Sequence, residues 1–498
     1  MKTLTRKGGE FAVSDDLREM LAFMDDGRLL ISKAHYHHPH VRGFVARLRH
    51  MGRSFQILQA DMRVIRDCYA GEVAQDESSN MQLEAKGLLR MASDLRASDV
   101  HIRVSKKQAT QIFFRIHSDL EFAKEHTYEY GQLLCSTMYQ AMTDVSSATF
   151  ETLTRQDARI SSRAHLPANI DGVRIATTPQ VDGFLMVLRL FYNDQQQDTD
   201  LSSLGYSPAQ VDALEYIKGR PTGIVVIAGP TGSGKSTTLQ RVLASIIEQS
   251  GGKKHVLTVE DPPEYPILGA VQTPITNAPT EEDRAAEYQK AIKGAMRLDP
   301  DIIMLSEVRD PPTARLAVQA AMTGHQVWTT LHANGALAIA DRLLDLGVAP
   351  ILLSDPSVVA GLICQRLIKT LCPHCKKPMS EHAHELDHAD VDRFARVLDF
   401  RDVYLLGPGC DHCRKTGTKG RTVIAEVVPT NEHLMALIRG NDRVAALRYI
   451  HRELGITSMH EHAIAKVRAG LVDPFEAESV VGLLAGGPAE LMGHDHAD

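Results

Sequence analysis

The run Gly229-Pro230-Thr231-Gly232-Ser233-Gly234-Lys235-Ser236 fits the pattern G-x-x-x-x-G-K-[ST] at every fixed position and dictates a local order of strand, loop and helix. The apolar stretch Ile224 to Ala228 before it reads as a buried strand. Leu239, Val242, Leu243, Ile246 and Ile247 after it recur at helical spacing. Glycines let the backbone of such a loop wrap an anion, while successive N–H groups and the helix N-terminus point at it. Lys235 is placed to reach the terminal phosphates of a nucleotide, and Ser236, followed by Thr237, to hold Mg²⁺. A chance glycine-rich turn would need neither the Lys-Ser pair nor the strand. Binding of ATP with Mg²⁺ is the first expectation.

Gly223 to Ala228, His255 to Val259, Asp301 to Leu305 and Gln326 to Thr330 are apolar segments separated by helical stretches, which predicts an α/β unit with a doubly wound parallel sheet. In such sheets the ligand lies beyond the carboxyl ends of the strands. Those ends carry reactive groups here. Glu260-Asp261-Pro262-Pro263-Glu264 follows the second strand and Ser306-Glu307-Val308-Arg309-Asp310 the third. Magnesium needs a carboxylate nearby, and hydrolysis needs a group that orients or deprotonates water. Asp301 opens its strand and lies, at roughly 3.3 Å per residue, about 20 Å from Glu307, on the wrong edge. Glu307 is the expected water-activating residue, with Glu260 and Asp261 supporting Mg²⁺; the plain alternative for Glu307 is an ion pair with Arg309 or Arg315. Thr323-Gly324-His325 precedes the fourth strand and Thr330-Leu331-His332-Ala333-Asn334 ends it. His332 and His325 are expected to sense the terminal phosphate by hydrogen bonding, against the alternative of satisfied core histidines.

A chain of 498 residues is too long for one ordinary core. Residues 1–80 are expected to form a small docking or extension module, 81–198 an α+β domain, 199–490 the nucleotide-binding unit, and 491–498 a tail, with disorder from Gly486 onward. Strand-like stretches at Val100 to Val104, Gln111 to His117, Gly172 to Thr177 and Phe184 to Leu190 place the α+β domain. Polar Asp76 to Asn80 and Asn193 to Asp198 read as linkers. Helices are expected at Val41 to Met51, from Glu426 onward (for instance Leu434, Leu437 and Ile438), and at His460 to Ala469 before Gly470. His35, His37, His38 and His40 read as a solvated loop, since no cysteine or carboxylate accompanies them.

With 55 basic and 62 acidic residues the formal charge is −7, so no global basic field draws the chain onto nucleic acid or an anionic membrane. The start, MKTLTRKGGEF, lacks the apolar core of a signal peptide. A cytoplasmic protein that meets the membrane only through partners is the expectation. Two of the seven cysteines' spacings, Cys372/Cys375 and Cys410/Cys413, are C-x-x-C pairs with 34 residues between them, which predicts a closed structural Zn²⁺ site of four thiolates. Cys68, Cys135 and Cys364 read as small core residues.

Ala97-Ser98-Asp99-Val100-His101-Ile102, Gly229 to Thr238, Thr258 to Tyr265, Leu298 to Asp310, Ala321 to Asn334, Gln365-Arg366-Leu367 and the cysteine pairs together resemble the secretion ATPases of type II secretion systems and type IV pilus assembly. The resemblance spans about 85 to 470. It implies a RecA-like P-loop ATPase domain with a zinc-knuckle insertion at 370–420, preceded by a small α+β, PAS-like domain. It further implies a homo-oligomer, a hexameric ring that hydrolyses ATP and drives an inner-membrane platform protein of a pilus or secretion system. Glu260 and Asp261 then correspond to the aspartate box, Glu307 to the Walker B glutamate, and His325 and His332 to the histidine box. Arg174 and Arg189 match family arginines that contact the nucleotide phosphates, a task suited to guanidinium. The tetracysteine insertion accompanies assembly and secretion members, which implies extrusion over retraction. Ser306 replaces the glycine usual before the Walker B glutamate, and Arg115-Ile116-His117-Ser118 replaces an Arg-Ile-Asp-Gly turn. Two other classes compete: a RecA-like nucleic-acid translocase, which the acidic charge and 5% aromatic content disfavour, and a non-catalytic nucleotide-gated adaptor, for which Ser306 is the only support. Direct nucleic-acid contact is not expected.

Overall fold

The computed structural model describes residues 3–5, 10–117, 119–143, 149–193, 199–275 and 280–485. Residues 194–198 of the expected linker and the expected disordered tail lie outside them. The chain divides into two compact units, Met1–Leu190 and Phe191–Asp498.

The first unit opens with β1 (Leu21–Phe23), β2 (Arg28–Ser32) and β3 (Gln56–Ala60), in that order across a three-stranded sheet. The helix Pro39–His50 joins β2 to the parallel β3 and buries Val41, Phe44 and Leu48, one apolar stripe at spacings of three and four, against Phe11, Leu21 and Leu29. His40 falls inside that helix. A helix of 33 residues, Met62–Asp94, then runs straight through Asp76 to Asn80. The linker expected there is a helix instead: the stretch is polar but holds no proline, and helix-forming runs flank it on both sides. Cys68 is half-buried at the edge of a small core made by Ala22, Met24, Ala60 and Ile65, while Cys135 and Cys364 are fully buried.

A six-stranded sheet follows, made of β4 (Asp99–Ser105), β5 (Ala109–Ile116), β6 (Asp119–His126), β7 (Gln156–Ile160), β8 (Ile170–Gln180) and β9 (Gly183–Tyr192), ordered β6-β5-β4-β9-β8-β7. β5 alternates half-exposed and buried residues along its whole length, the period-two pattern of a sheet with one face on a core. The β5–β6 register pairs Ile116 with Asp119, and His117 takes φ 47° at the end of β5.

The second unit is built on β10 (Gly223–Ala228), β11 (Val256–Glu260), β12 (Ala270–Pro274), β13 (Ile302–Leu305), β14 (Gln326–Leu331), β15 (Val359–Leu371) and β18 (Thr418–Pro429), ordered β12-β11-β13-β14-β10-β15-β18. All pairs are parallel except β15–β18. Every residue of β10 is buried: Ile224, Val226 and Ala228 join one core, Val225 and Ile227 the core on the other face. A strand covered on both sides reads as an unbroken apolar run, as this one does. Glu426 to Pro429, expected to begin the C-terminal helices, is the end of β18. Helices resume at Glu432–Arg439 and Met459–Arg468, and Gly470 takes φ 63° beyond the latter. The short strands β16 (Lys377–Pro378) and β17 (Tyr404–Leu405) lie in the insertion between β15 and β18, which shares a small core with the C-terminal helices: Met379, Phe394, Val403, Ala463 and Val467. Among the described residues no helix is long and apolar enough to cross a membrane.

Candidate active site

Parallel pairing places Ala228 level with Leu331 on one side and Cys364 on the other, so the phosphate loop, the 332–335 loop and the second half of β15 share one sheet edge. The helix Lys235–Gln249 begins at Gly234, φ 85°, with no side chain capping its first N–H groups. An uncapped helix start is an anion site in waiting. Lys235 Nζ donates to the carbonyls of Gly229 (2.8 Å) and Pro230 (3.1 Å). Burial holds the Lys235 ammonium below its usual pKa range, with Glu307 and Glu264 acting the other way. Ser233 Oγ is buried and meets no hydrogen-bond partner among the described residues. These groups suit an anion cradle for a nucleotide.

Two residues support the loop from beneath. The Tyr206 hydroxyl donates to Gln365 Oε1 at 2.6 Å, the Gln365 amide donates to the Ser233 carbonyl at 2.8 Å, and the same hydroxyl lies 3.3 Å from Thr238 Oγ1. Tyr206 and Gln365 are both buried. A Cβ at Gly229 would stand 2.4 Å from the Gln365 carbonyl oxygen, so β15 can lie this close to the loop only with glycine there.

At the end of β11, Glu260 is buried and its Oε1 accepts from Thr258 Oγ1 (2.6 Å) and Gln272 Nε2 (2.8 Å). Burial raises its pKa against those two hydrogen bonds. Asp261 faces Arg284 at 3.9 Å. At the end of β13, Glu307 is held on both oxygens: His332 Nε2 lies 3.1 Å from Oε1, and Arg309 Nε donates to Oε2 at 2.8 Å. The ion pair with Arg309 is thus present beside the histidine contact. Tyr288, its phenol pushed up to about 12 by burial, stands 3.2 Å from Ser306 Oγ and accepts from the Glu307 N–H at 3.4 Å. Thr330 Oγ1 donates to the Ser306 carbonyl at 2.7 Å. Ser306 is therefore built into the support of the glutamate.

His325 does not join this group. Gln326 pairs with Gly223 at the opening of the two strands, and His325 precedes it, with Nδ1 3.0 Å from the Ala320 carbonyl and 3.2 Å from Thr323 Oγ1. The strand-length reasoning that excludes Asp301 applies to it equally: the Gln326 N–H donates to the Asp301 carbonyl at that same far edge. In the first unit, Arg189 Nε donates to the buried Asp99 at 3.0 Å, Arg115 approaches the same carboxylate at 3.8 Å, and Arg174 lies 3.7 Å from Asp157.

Sequence reasoning missed Tyr206 and Tyr288, whose roles depend on distant partners, and gave no support role to Gln365. Gln365 stands inside the segment Gln365-Arg366-Leu367 quoted for the family resemblance, whereas no motif segment holds Tyr206 or Tyr288.

The four cysteines of the insertion meet. Cys372 and Cys410 sulfurs are 3.8 Å apart, Cys375 and Cys413 3.7 Å, Cys410 and Cys413 3.8 Å. An ion about 2.3 Å from each of four tetrahedral sulfurs requires edges of about 3.8 Å, so the group can hold a metal ion. Burial opposes ionisation of Cys413, but the N–H groups of Cys410 (3.1 Å) and Gly417 (3.2 Å) aim at its sulfur and bring the thiol down to about 6. The rings of His374 and His412 meet at a 56° tilt, centroids 3.9 Å apart, and neither belongs to the four-cysteine group.

A family model described as type II/IV secretion system protein matches residues 73–480. The chain is 34% identical over 376 residues to the type II secretion system ATPase E of Vibrio cholerae, covering 75% of this chain and 70% of that protein. It is 37% identical over 362 residues to a putative type II secretion system protein E of Escherichia coli, covering 72% and 68%. Among solved structures, its fold is similar to the pilus retraction motor PilT with bound ADP (23% identity, 81% of this chain and 98% of that one, TM-score 0.52). It is similar also to the ATPase DotB of Legionella pneumophila (21% identity, 79% and 94%, TM-score 0.53).

Proposed function

This chain belongs to the type II/IV secretion system protein family, and on that footing we propose that it is the ATPase motor that powers assembly of a type IV pilus, a conjugative thin pilus or a type II secretion pseudopilus. The observation that carries the reading is the convergence of Lys235, Glu260, Glu307 and His332 at the carboxyl edge of one parallel sheet. Gly229 to Thr237 bind the phosphates of ATP, Lys235 countering charge on the terminal ones. Ser236 would hold Mg²⁺, with Glu260 and Asp261 supporting it, and the ion would supply neutralisation of phosphate charge. Glu307 orients a water and takes up its proton as the bond to the γ-phosphorus forms and the bond to the leaving ADP oxygen breaks. His332, bonded to Glu307, senses that state. Arg174 and Arg189 enter through the family resemblance, as guanidinium groups that meet phosphoryl charge during turnover. Cys372, Cys375, Cys410 and Cys413 would hold Zn²⁺ in a structural role, since four thiolates would complete its usual set of ligands.

The motor works as a homo-oligomeric, hexameric ring at the cytoplasmic face of the inner membrane, against a platform protein. Steady-state phosphate release is the test, in parent and Glu307→Gln protein, with ATP binding followed through the single tryptophan, Trp328. Binding retained and turnover lost in the variant is expected; equal turnover in both refutes the carboxylate assignment.

A further inference from the structure

Across the sheet, one row of paired residues runs Leu331, Ala228, Cys364, Glu426. Glu426 is therefore level with the phosphate edge, although it stands on the last strand, far along the chain from the loop. Its side chain is one-tenth exposed. The helix Ala336–Asp345, which leaves the 332–335 loop, has Gly335 as its N-cap and no capping side chain of its own. Glu426 Oε2 supplies one from across the sheet, accepting the Ala336 N–H at 3.2 Å. The other oxygen, Oε1, lies 3.4 Å from His451 Nε2. His451 Nδ1 faces the Ile456 carbonyl at 2.8 Å, and because a carbonyl only accepts, that nitrogen carries a hydrogen and the ring is fixed in orientation. His451 sits in a π-helical turn, Tyr449–Glu453, an irregularity that places its ring where a regular helix would not. A second tie reaches the same helix, between Arg443 and Asp341. The 332–335 loop is also touched from β15, where Cys364 Sγ donates to the Ala333 carbonyl at 3.8 Å.

We propose that Glu426 and His451 are positioning residues for the phosphate-edge reaction: they fix the start of the helix Ala336–Asp345, and through it the loop that holds His332 against Glu307, linking the segment 442–456 to the site. The proposal rests on the ATPase reading above, in which Glu307 is the catalytic carboxylate.

The experiment uses the full chain and two readouts. Hydrogen exchange of the amides 332–336 is followed by mass spectrometry in parent, Glu426→Leu, Glu426→Gln and His451→Asn proteins. The leucine variant is expected to exchange about fivefold faster there, the size of a lost cap, and the glutamine variant, which keeps an oxygen for Ala336, is expected to recover most of the protection. Turnover is then measured in a double-mutant cycle of Glu426→Leu with His332→Ala. A fall in kcat of about fivefold in Glu426→Leu at unchanged ATP affinity, absent in the His332→Ala background, is the expected result. Multiplicative losses, or unchanged loop exchange in both Glu426→Leu and His451→Asn, overturn the proposal. If Glu426→Leu does not fold, His451→Asn replaces it in the cycle. Undiminished turnover by Glu307→Gln would instead overturn the carboxylate assignment, and loop exchange still decides the positioning role.

Discussion

Replacing Tyr206 by phenylalanine removes one oxygen atom from beneath the phosphate loop. Tyr206 is 3% exposed and Gln365 fully buried, so no water replaces the lost hydroxyl at 2.6 Å. The variant loses a hydrogen bond worth about 1 kcal/mol net and leaves Gln365 Oε1 without its donor, a further penalty of about 1 kcal/mol or more. A total of about 2 kcal/mol lowers the melting temperature by roughly 3 °C if it falls on the fold of the unit Phe191–Asp498. The same strut fixes Gln365, whose amide holds the Ser233 carbonyl, so part of the loss appears as weaker nucleotide binding, about three- to tenfold. The assay is calorimetric titration with Mg-ATP in a Glu307→Gln background, which preserves the nucleotide, alongside thermal melts. Tyr216→Phe, at an exposed tyrosine, is the control. A Tyr206→Phe protein that melts low but binds ATP like the parent refutes the link from strut to loop; one unchanged in both refutes the energetic reasoning as well.

Changing Cys372 and Cys410 to serine should lower metal content, read by plasma mass spectrometry, from one ion per chain to none and lower the melting temperature. ATP affinity should stay within about twofold, because the cluster lies beyond the Leu371–Thr418 pair, some six residues and about 20 Å along β15 from Gln365. His462 is buried between β18 and the helix Pro208–Lys218, its Nδ1 taking the Ala425 N–H at 3.1 Å and facing Gln210 Nε2 at 3.1 Å. Burial, with the nearby Lys466 charge, depresses its pKa to about 4. A folded pKa below the unfolded value means that the unfolded chain binds the extra proton first, so the stability is full above about 6.5 and is lost as pH falls towards 4. Between pH 7 and 5 the parent should lose about 2 kcal/mol more than His462→Gln in urea unfolding; equal losses would contradict the buried neutral ring.

The parallel sheet was readable because strands buried on both faces announce themselves as apolar runs and because the loop motif anchors their order; the strand near 224–228 needed no tertiary information. The half-exposed edge strand β12 and the last two strands were not readable that way. β15 and β18 carry Arg366, Lys369, Arg421 and Glu426 among their apolar residues, and Glu426 to Pro429 beside genuine helix looked helical. Each of those charges has a partner or an outlet that the local sequence does not display, as Arg366 does in the Val480 carbonyl. In the candidate site, Glu260, Glu307 and His332 lie at one edge because each follows the end of a parallel strand, and strand direction is legible in the sequence. His325 stands apart from His332 by the length of β14, a separation that the same strand direction also makes legible. Tyr206, Tyr288 and Gln365 act through hydrogen bonds to residues between 18 and 159 positions away, and no spacing rule encodes such contacts.

The phosphate loop also has a place in time. Its glycine lies against the Gln365 carbonyl and its Ser233 carbonyl is held by the Gln365 amide, yet that residue is synthesised 132 positions after Ser233. A nascent chain that has emerged only as far as β14 carries the whole motif without the strand that shapes it. Nucleotide binding is thus expected late in the birth of the protein, once β15 has paired with β10 and before β18, which is synthesised later, covers its other edge, and a chain arrested earlier on the ribosome holds the signature of an ATPase without the grip of one.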